Sequence, residues 1–334
     1  MNTKTTPTIK DVAREAGVSL ATVSKVINNL PVGKASREKV EQAIEKLGYQ
    51  ANKYARALKS SKTYSVALVL PSLKHPFFAH LTDELTKSLM KRGYNALLMI
   101  TNYDAEAEEK CFAMVRSNKI DGVIALTYSP DLKVSGKIPI VTIDRHLGDF
   151  VPCISSDNYR GGELAAKKLI ELGCKRLLHL RFSSGVPGET DKRSAGFEFK
   201  CSQYGVDYET IVLSDKGTEE PFYRFIEEHI CGEKLEFDGI FCSSDILASH
   251  VSRFITDRGV RVPDQVQIIG YDGIPDPYTD GLLCSTIEQP IAKMAEAAVD
   301  TLLNFNDASK GANICLPVRY VPGGTTKEKV EKWF

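Results

Sequence analysis

From residue 65 onward, short apolar runs alternate with longer amphipathic stretches, and this alternation restricts the fold more than any other feature of the sequence. Each apolar run has the length of a buried strand, and each stretch between two runs has the period of a helix. The pattern predicts parallel sheets with crossover helices, and the region is too long for one ordinary sheet. We therefore expect an α/β core with two doubly wound lobes. The predicted strands are 65–70, 96–100, 122–126, 138–143, 176–180, 210–213, 239–242 and 267–270, and the predicted helices are 77–92, 105–117, 159–172, 192–204, 219–231 and 245–258.

The first 50 residues follow a different pattern, which predicts three short helices. Thr8 and Asp11 have the spacing of a capping box, and Gly17 is a residue that readily takes the left-handed conformation at a helix end. Ser19 is placed to cap a second helix, and a third helix is predicted to begin at Ser36. Two short helices joined by a tight turn are typical of a helix-turn-helix, whose second helix lies in the DNA major groove. The outward side chains of that helix would be Leu20, Ala21, Ser24, Lys25 and Asn28.

The charge of the chain is unevenly distributed. The 334 residues carry 43 Lys and Arg against 43 Asp and Glu, so the formal net charge is zero. Residues 1–62 nevertheless hold 12 basic and 5 acidic side chains, a net charge of +7, which leaves −7 for the remainder. A basic N-terminal region on an acidic body is typical of a nucleic-acid-binding head joined to another kind of domain. A solvated basic face would give the same charge, and the helix-turn-helix pattern is what favours DNA binding.

Composition and motifs argue against several other classes of protein. The chain has no apolar run of ~18 residues, and its polar start lacks the apolar segment of a secretory signal, so we expect a cytoplasmic protein that does not enter a membrane. The eight cysteines include no C-x-x-C pair and the six histidines show no ligand spacing, which predicts reduced thiols, no metal and no other cofactor. Phosphate-binding, dinucleotide-binding and nucleophile-elbow glycine motifs are absent, so we expect that the protein is not an enzyme.

The strings IKDVAREAGVSLATVSKVIN and SREKVEQAIEKLGYQANKYARALKS resemble the N-terminal region of the LacI/GalR family of bacterial transcriptional regulators. The resemblance implies base contacts from Leu20, Ala21 and Lys25. It also implies a hinge segment that becomes helical on operator DNA and pairs with a second hinge in the minor groove. Leu58 would wedge into the central base step, although a plain linker leucine would give the same sequence. The hinge positions implied to contact DNA are Tyr54, Ala55, Leu58 and Lys59.

Strings further along the chain, such as IPIVTIDR and SSDILASHVSRFITDRGVRVPDQVQIIGYDGI, resemble the effector-binding core of the same family and continue to about residue 323. The resemblance implies a core of the periplasmic-binding-protein type, in which two doubly wound lobes flank a cleft. The implied domains are a helix-turn-helix head at 1–50, a hinge helix and linker at 51–62, and an effector-binding and dimerisation core at 63–334, with lobe one at about 63–160 and 290–323 and lobe two at about 161–289.

The resemblance also implies an effector site at the carboxyl ends of the strands, where open α/β sheets bind ligands. Carboxylates and an arginine suit sugar hydroxyls, and aromatic rings suit the apolar face of a sugar. Phe77 and Phe78 would equally serve to pack one lobe, and Arg193 would equally form a surface salt bridge. The implied effector-binding residues are Phe77, Phe78, Asp144, Arg145, Arg193, Ser244, Asp272 and Gln289.

The effector site departs from the family pattern at a few positions. Ser244 stands where relatives often have asparagine, and His75 stands where asparagine often precedes Pro-Phe-Phe. No aromatic residue lies near 215–217, which favours a sugar pocket over one that stacks a purine ring. Arg145, with Lys74 and Lys216 nearby in the chain or the fold, would also suit a phosphorylated or carboxylated sugar.

Together these features predict a repressor of a carbohydrate-utilisation operon. Two heads of a homodimer would bind a pseudopalindromic double-stranded DNA operator, and a small sugar or sugar phosphate would release it. The tail VPGGTTKEKVEKWF has no leucine heptad, so we expect a dimer and not a tetramer. An alternative is a regulator activated by a corepressor, which would be a purine or a phosphorylated carrier protein. A solute-binding protein is argued against by the basic head.

Overall fold

The computed structural model describes residues 7–27, 30–49, 62–127, 129, 138–214 and 217–328. The chain divides into two compact units, Met1–Thr63 and Tyr64–Phe334. Each unit has hydrophobic clusters of its own.

In its described residues, the first unit contains three helices, which are α1 (Ile9–Ala16), α2 (Leu20–Ile27) and α3 (Lys34–Leu47). The capping box predicted for α1 is confirmed, because the Asp11 carboxylate accepts the Thr8 backbone N–H at 3.0 Å and the Thr8 hydroxyl at 2.7 Å. Gly17 ends α1 in the left-handed conformation, with φ of 61°. The predicted cap of α2 is also confirmed, since Ser19 Oγ accepts the Thr22 N–H at 3.1 Å.

The third helix begins earlier than the sequence pattern predicts. It starts at Lys34, and not at Ser36, because the Gly33 carbonyl already accepts the N–H groups of Ser36 and Arg37 at 3.0 and 3.1 Å. Arg37 Nη2 donates to the Leu30 carbonyl at 3.0 Å, so α3 also fixes the turn that follows α2. The three helices enclose one small apolar core. Its buried members are Val12, Ala16, Val23, Val26, Val40 and Ala43.

The second unit contains two six-stranded sheets and a small hairpin. Its strands are β1 (Ser65–Leu70), β2 (Asn95–Ile100), β3 (Gly122–Ala125), β4 (Ile140–Ile143), β5 (Cys153–Ser156), β6 (Arg176–Ser183), β7 (Asp207–Ser214), β8 (Ile230–Cys231), β9 (Lys234–Leu235), β10 (Gly239–Cys242), β11 (Gln267–Asp272), β12 (Thr286–Glu288), β13 (Asn313–Leu316) and β14 (Arg319–Val321). The first sheet is parallel, in the order β13-β5-β4-β3-β1-β2. The second has the order β14-β12-β11-β10-β6-β7, and only its edge strand β14 runs antiparallel.

Helices cover both faces of each sheet, as the doubly wound fold requires. They are α4 (Pro76–Lys91), α5 (Ala105–Ser117), α6 (Asn158–Glu171), α7 (Lys192–Tyr204), α8 (Glu220–Glu228), α9 (Asp245–Thr256) and α10 (Ile291–Leu303). On the first sheet, α4 and α10 share one apolar cluster and α5 belongs to the other. On the second sheet, α6 and α7 share one cluster, and α8 and α9 share the opposite one. The predicted two-lobed α/β fold is therefore confirmed.

The sequence pattern misses several short strands and also the 13-residue helix α10. Strands β5 and β12 read CISS and TIE, and such short, partly polar segments carry no readable period. They are strands because neighbouring strands pair with them, as when β4 pairs with β5 through Thr142 and Ile143. The helix predicted to reach residue 231 ends at Glu228, since Ile230 and Cys231 pair with Leu235 and Lys234 in the small hairpin.

The chain passes between the two sheets three times. It crosses after β5, again between β12 and α10, and finally between β13 and β14. The family resemblance assigns residues 319–321 to lobe one. These residues form β14, which pairs with β12 and so belongs to the second sheet. The carboxyl ends of β1, β4, β6 and β11 face the space between the sheets, which holds the cavity described below.

Two glycines allow α6 and α7 to approach closely. A Cβ atom at Gly162 would lie 1.9 Å from the Arg193 carbonyl oxygen, and one at Gly196 would lie 2.0 Å from the Tyr159 carbonyl oxygen. Any larger residue would force the helices apart. This close approach places Arg193, at the start of α7, over the Tyr271 ring at 3.6 Å.

Candidate functional site

The outward face of α2 exposes three of the residues that the sequence predicts to contact DNA. Val23 and Val26 are buried in the head, which leaves the opposite face of the helix in solvent. Leu20, Ala21 and Lys25 are exposed on that face, and 45% of Leu20 is accessible. An exposed leucine side chain on this face suits contact with thymine methyl groups.

Of the other residues that the sequence predicts to contact DNA, the structure describes only one. Ser24 is half-buried on α2, beside the exposed face. Asn28 lies outside the described residues, and so do the hinge positions Tyr54, Ala55, Leu58 and Lys59.

A cavity of about 300 Å³ lies between the two sheets. It is lined by seven of the eight residues that the sequence predicts for effector binding. These seven are Phe77, Phe78, Asp144, Arg145, Arg193, Ser244 and Asp272. The eighth, Gln289, lies behind the lining: its Nε2 donates to Asp272 Oδ1 at 2.8 Å and its Oε1 accepts the Ser156 hydroxyl at 2.7 Å. Gln289 therefore orients a lining carboxylate and does not itself reach the cavity.

Two buried carboxylates face the cavity from opposite sheets. Asp144 follows β4 and Asp272 ends β11, and both have positive φ, 55° and 122°. Burial raises the pKa of Asp144 to about 6, against the lowering effect of the Arg193 guanidinium. Burial also raises the pKa of Asp272 well above its usual range. Asp272 Oδ2 has no hydrogen-bond partner among the described residues, although it is buried. Because a buried acceptor without a partner is costly, this oxygen is an open position for a ligand donor.

Two guanidinium groups lie beside these carboxylates. Arg193 Nε donates to Asn158 Oδ1 at 2.7 Å, and its Nη1 donates to the Ser243 carbonyl at 2.7 Å. Arg145 extends from the first sheet to the second, where its Nη2 donates to Ser184 Oγ at 2.9 Å. Arg145 Nη1 donates to the Val186 carbonyl of the same loop. Both arginines are thus held in place by neutral acceptors.

The aromatic part of the cavity comes from the start of α4. Phe77 and Phe78 are buried, with ring centroids 5.6 Å apart. His75 precedes them as the N-cap, and its Nδ1 accepts the Phe77 N–H at 3.3 Å. Burial lowers the pKa of His75 to about 4, with a further contribution from Arg193. The ring is therefore neutral at pH 7, and it replaces the amide side chain that relatives often have there.

Several polar lining residues were not predicted from the sequence, among them His179, Arg181 and Ser194. His179 Nδ1 donates to the Phe241 carbonyl at 3.0 Å, so its Nε2 accepts the Ser194 hydroxyl at 2.9 Å. Burial lowers the pKa of His179 to about 3. Arg181 Nη1 donates to the same Ser194 Oγ at 3.2 Å, and its Nη2 pairs with Asp191. The alternation of His179 and Arg181 with apolar residues in β6 was the available signal for these two side chains.

The sequence also places Ser244, Lys74 and Lys216 in or near the cavity. Ser244 caps α9, where its Oγ accepts the Leu247 N–H at 3.3 Å, and it also lines the cavity. Lys74 is not among the lining residues, and Lys216 lies outside the described residues. Within the described ranges, no cluster of His, Cys, Asp and Glu side chains has the arrangement of a metal site.

This arrangement suits a small polyhydroxylated ligand. Carboxylates accept hydrogen bonds from hydroxyl groups and guanidinium groups donate to hydroxyl oxygens, while an aromatic pair covers an apolar face.

None of the helices in the described part of the chain is long and apolar enough to span a membrane.

Comparison with known proteins accounts for both units of the chain. Residues 8–52 match a family model described as bacterial regulatory proteins of the lacI family. Residues 63–321 match a model described as periplasmic binding proteins and the sugar-binding domain of the LacI family. The second match alone spans more than half of the chain.

Curated relatives extend over almost the whole chain. The chain is 34% identical over 330 residues to a ribose operon repressor of Bacillus subtilis, covering 96% of this chain and 99% of the relative. It is 31% identical over 328 residues to a sucrose operon repressor of Pediococcus pentosaceus, with the same coverage. Its fold is similar to that of a Lac repressor dimer bound to operator and an anti-inducer, with a TM-score of 0.83, 22% identity and coverage of 96% and 99%. The chain belongs to the LacI family of bacterial transcriptional regulators, whose members are DNA-binding repressors with a helix-turn-helix head.

Proposed function

We propose that this regulator represses a carbohydrate-utilisation operon and is released from a pseudopalindromic operator when a small sugar or sugar phosphate occupies the cavity. The observation that carries the proposal is Asp272, a residue of the cavity lining whose buried Oδ2 has no hydrogen-bond partner among the described residues. A sugar hydroxyl would supply that partner. The similarity to repressors of ribose and sucrose operons supports the same class of effector.

On the DNA side, the proposed unit is a homodimer with one head on each half-site. Leu20 and Ala21 would pack on thymine methyl groups, and Lys25 would contact bases or phosphates. A lysine lacks the bidentate fork of an arginine, so we expect modest direct readout. Leu58 would contribute through the minor groove, where an apolar wedge bends the duplex. The proposed domains are the head at 1–50, the hinge and linker at 51–62 and the core at 63–334.

On the effector side, the cavity is shared by the two lobes. Asp144 and Arg145 come from the first sheet, while Arg193 and Asp272 come from elements of the second. A ligand that contacts both sets stabilises the closed arrangement of the lobes. Closure would separate the paired hinges of the dimer and weaken DNA binding. The effector acts only through its different affinities for the two states, a coupling of ~1–3 kcal/mol in typical cases.

The proposal can be tested in two steps with the full-length protein. A thermal-shift screen of D-ribose, sucrose, ribose 5-phosphate, guanine and hypoxanthine identifies the ligand class. A mobility shift on DNA from the neighbouring promoter region then gives the sign of the effect. We expect a sugar or sugar phosphate to raise the melting temperature and to weaken DNA binding. If only a purine raises the melting temperature, and it tightens DNA binding, the corepressor alternative replaces this proposal.

The proposed role is binding and not catalysis, and it places the protein in the cytoplasm with its operator. A sugar incubated with the protein should therefore be recovered chemically unchanged. Turnover that increases with protein concentration, measured by chromatography of the sugar, would contradict this part of the proposal.

A further inference from the structure

Asp272 presents its open oxygen from an unusual backbone conformation. Its φ of 122° is one that residues with a Cβ rarely adopt, so the surroundings must hold it there. Gln289 holds one side of the residue: its Nε2 bonds to Asp272 Oδ1 at 2.8 Å, and its N–H bonds to the Asp272 carbonyl at 3.1 Å. The other side is held through the two residues that follow Asp272.

A second carboxylate, Asp245, binds those two residues. Its Oδ2 accepts the N–H groups of Gly273 and Ile274 at 2.8 and 2.7 Å. Its Oδ1 accepts the Thr286 hydroxyl at 2.6 Å and the Cys284 thiol at 3.4 Å. Asp245 is completely buried in the first turn of α9, where a negative charge is favoured by the helix dipole.

Asp245 is not among the residues that line the cavity, and the sequence does not predict it as an effector-binding residue. Its four hydrogen bonds nevertheless join three separate segments, which are the start of α9, the turn after β11, and the segment 284–286. A Cβ at Gly270 would lie 2.4 Å from Asp245 Oδ1, so β11 has a glycine where this carboxylate approaches. Ile274, one of the two anchored residues, is buried in the apolar cluster of the first sheet.

We propose that Asp245 is a positioning residue for effector recognition: by holding the Gly273 and Ile274 amides, it keeps Asp272 in the conformation that turns Oδ2 into the cavity. This inference rests on the proposed function, in which Asp272 binds the effector. The carboxylate oxygen accepts two adjacent N–H groups in charge-assisted bonds, whereas the oxygen of an asparagine amide is a neutral and weaker acceptor. An Asp245→Asn change therefore loosens the turn and the hold on the open oxygen.

The first test measures the turn itself and needs no ligand. Hydrogen–deuterium exchange of the full-length protein should be faster in peptides containing Gly273 and Ile274 in Asp245→Asn than in the wild type. Thr286→Val removes one donor to Asp245 and a longer contact, at 3.3 Å, in which Thr286 Oγ1 accepts the Gly273 N–H, and it should give a smaller change in the same peptides. Ser285→Ala is the matched control: Ser285 is buried next to Thr286 but bonds to Gly323 and Thr326. Unchanged exchange at 273–274 in both test variants would overturn the proposal.

The second test is a double-mutant cycle measured by calorimetry with whichever of D-ribose, sucrose or ribose 5-phosphate shifts the wild-type melting temperature most. Asp272→Asn and Asp245→Asn should each weaken binding about 10- to 100-fold, the range for a lost charged hydrogen bond. The double variant should be no more than about twofold weaker than Asp272→Asn, because both changes remove one interaction. Additive losses would show a general structural role and overturn the proposal. If no sugar binds the wild type, the proposed function fails, and the exchange measurement alone decides the role of Asp245.

Discussion

Replacing Gly162 with alanine tests whether the close approach of α6 and α7 places Arg193. The added Cβ would lie 1.9 Å from the Arg193 carbonyl oxygen and 2.8 Å from the Phe197 nitrogen. Both atoms belong to the backbone, so no side-chain rotation relieves the overlap. Ordinary contacts of a Cβ begin near 3.4 Å, and the two helices must therefore separate by about 1.5 Å.

The expected change in the free energy of unfolding of Gly162→Ala is the sum of two opposing contributions. Overpacking of this kind costs ~1–3 kcal/mol, whereas alanine in place of glycine inside a helix stabilises by ~0.5–1 kcal/mol. We expect a net loss of about 1–2 kcal/mol in the free energy of unfolding. Moving Arg193 also breaks its 2.7 Å bonds to Asn158 and the Ser243 carbonyl, so sugar affinity should fall ~10-fold or more.

Urea unfolding measures the stability of Gly162→Ala, and calorimetry measures its affinity for the sugar found in the screen. Glu171→Ala is the matched control, because Glu171 lies on the same helix with its side chain 51% exposed and meets no comparable contact. Operator binding without sugar should be unchanged, since the head has its own core. A Gly162→Ala protein with wild-type stability and wild-type sugar affinity would refute the reasoning about this contact.

Three further outcomes are expected. Since burial raises the pKa of Asp144 to about 6 from 3.8, the folded state keeps a proton that the unfolded state has lost. The contribution of this proton to the free energy of unfolding is therefore complete below pH ~4 and is lost as the pH rises through 6. The loss amounts to ~3 kcal/mol. Urea unfolding of Asp144→Asn over the same pH range should not show it. Leu58→Ala should abolish operator discrimination while weak, salt-sensitive binding remains, and wild-type discrimination in a DNA titration would contradict the wedge. Lys25→Ala should weaken DNA binding and, if Lys25 contacts a phosphate, reduce the salt slope by about one, whereas an unchanged slope would assign it to base contacts alone.

Local sequence patterns were sufficient to predict the helix caps of the head and the α/β class of the core. The capping box at Thr8, the glycine after α1 and the cap at Ser19 each act within four residues, so a short window of sequence contains the whole interaction. The alternation of apolar runs and helices is also local, and it predicted the α/β class. The uneven charge between residues 1–62 and the rest could be read by counting alone.

The effector site was predictable only in part. Seven of its eight proposed residues line one cavity, because the ends of parallel strands converge and the family resemblance indicates which ends matter. Gln289 lies behind Asp272, and that distinction depends on the direction of a side chain in the assembled core.

The sequence by itself determined the helices of the head, the α/β class of the lobes with most of their longer strands and helices, and the separation of a basic region from an acidic one. Only the tertiary structure decided how Arg181 and His179 join the cavity, and how Asp245 reaches across to the turn after Asp272. The physical reason is distance along the chain. Asp245 and Ile274 are brought together because β10 and β11 are parallel neighbours in the second sheet, and a local sequence pattern does not encode which strands are neighbours.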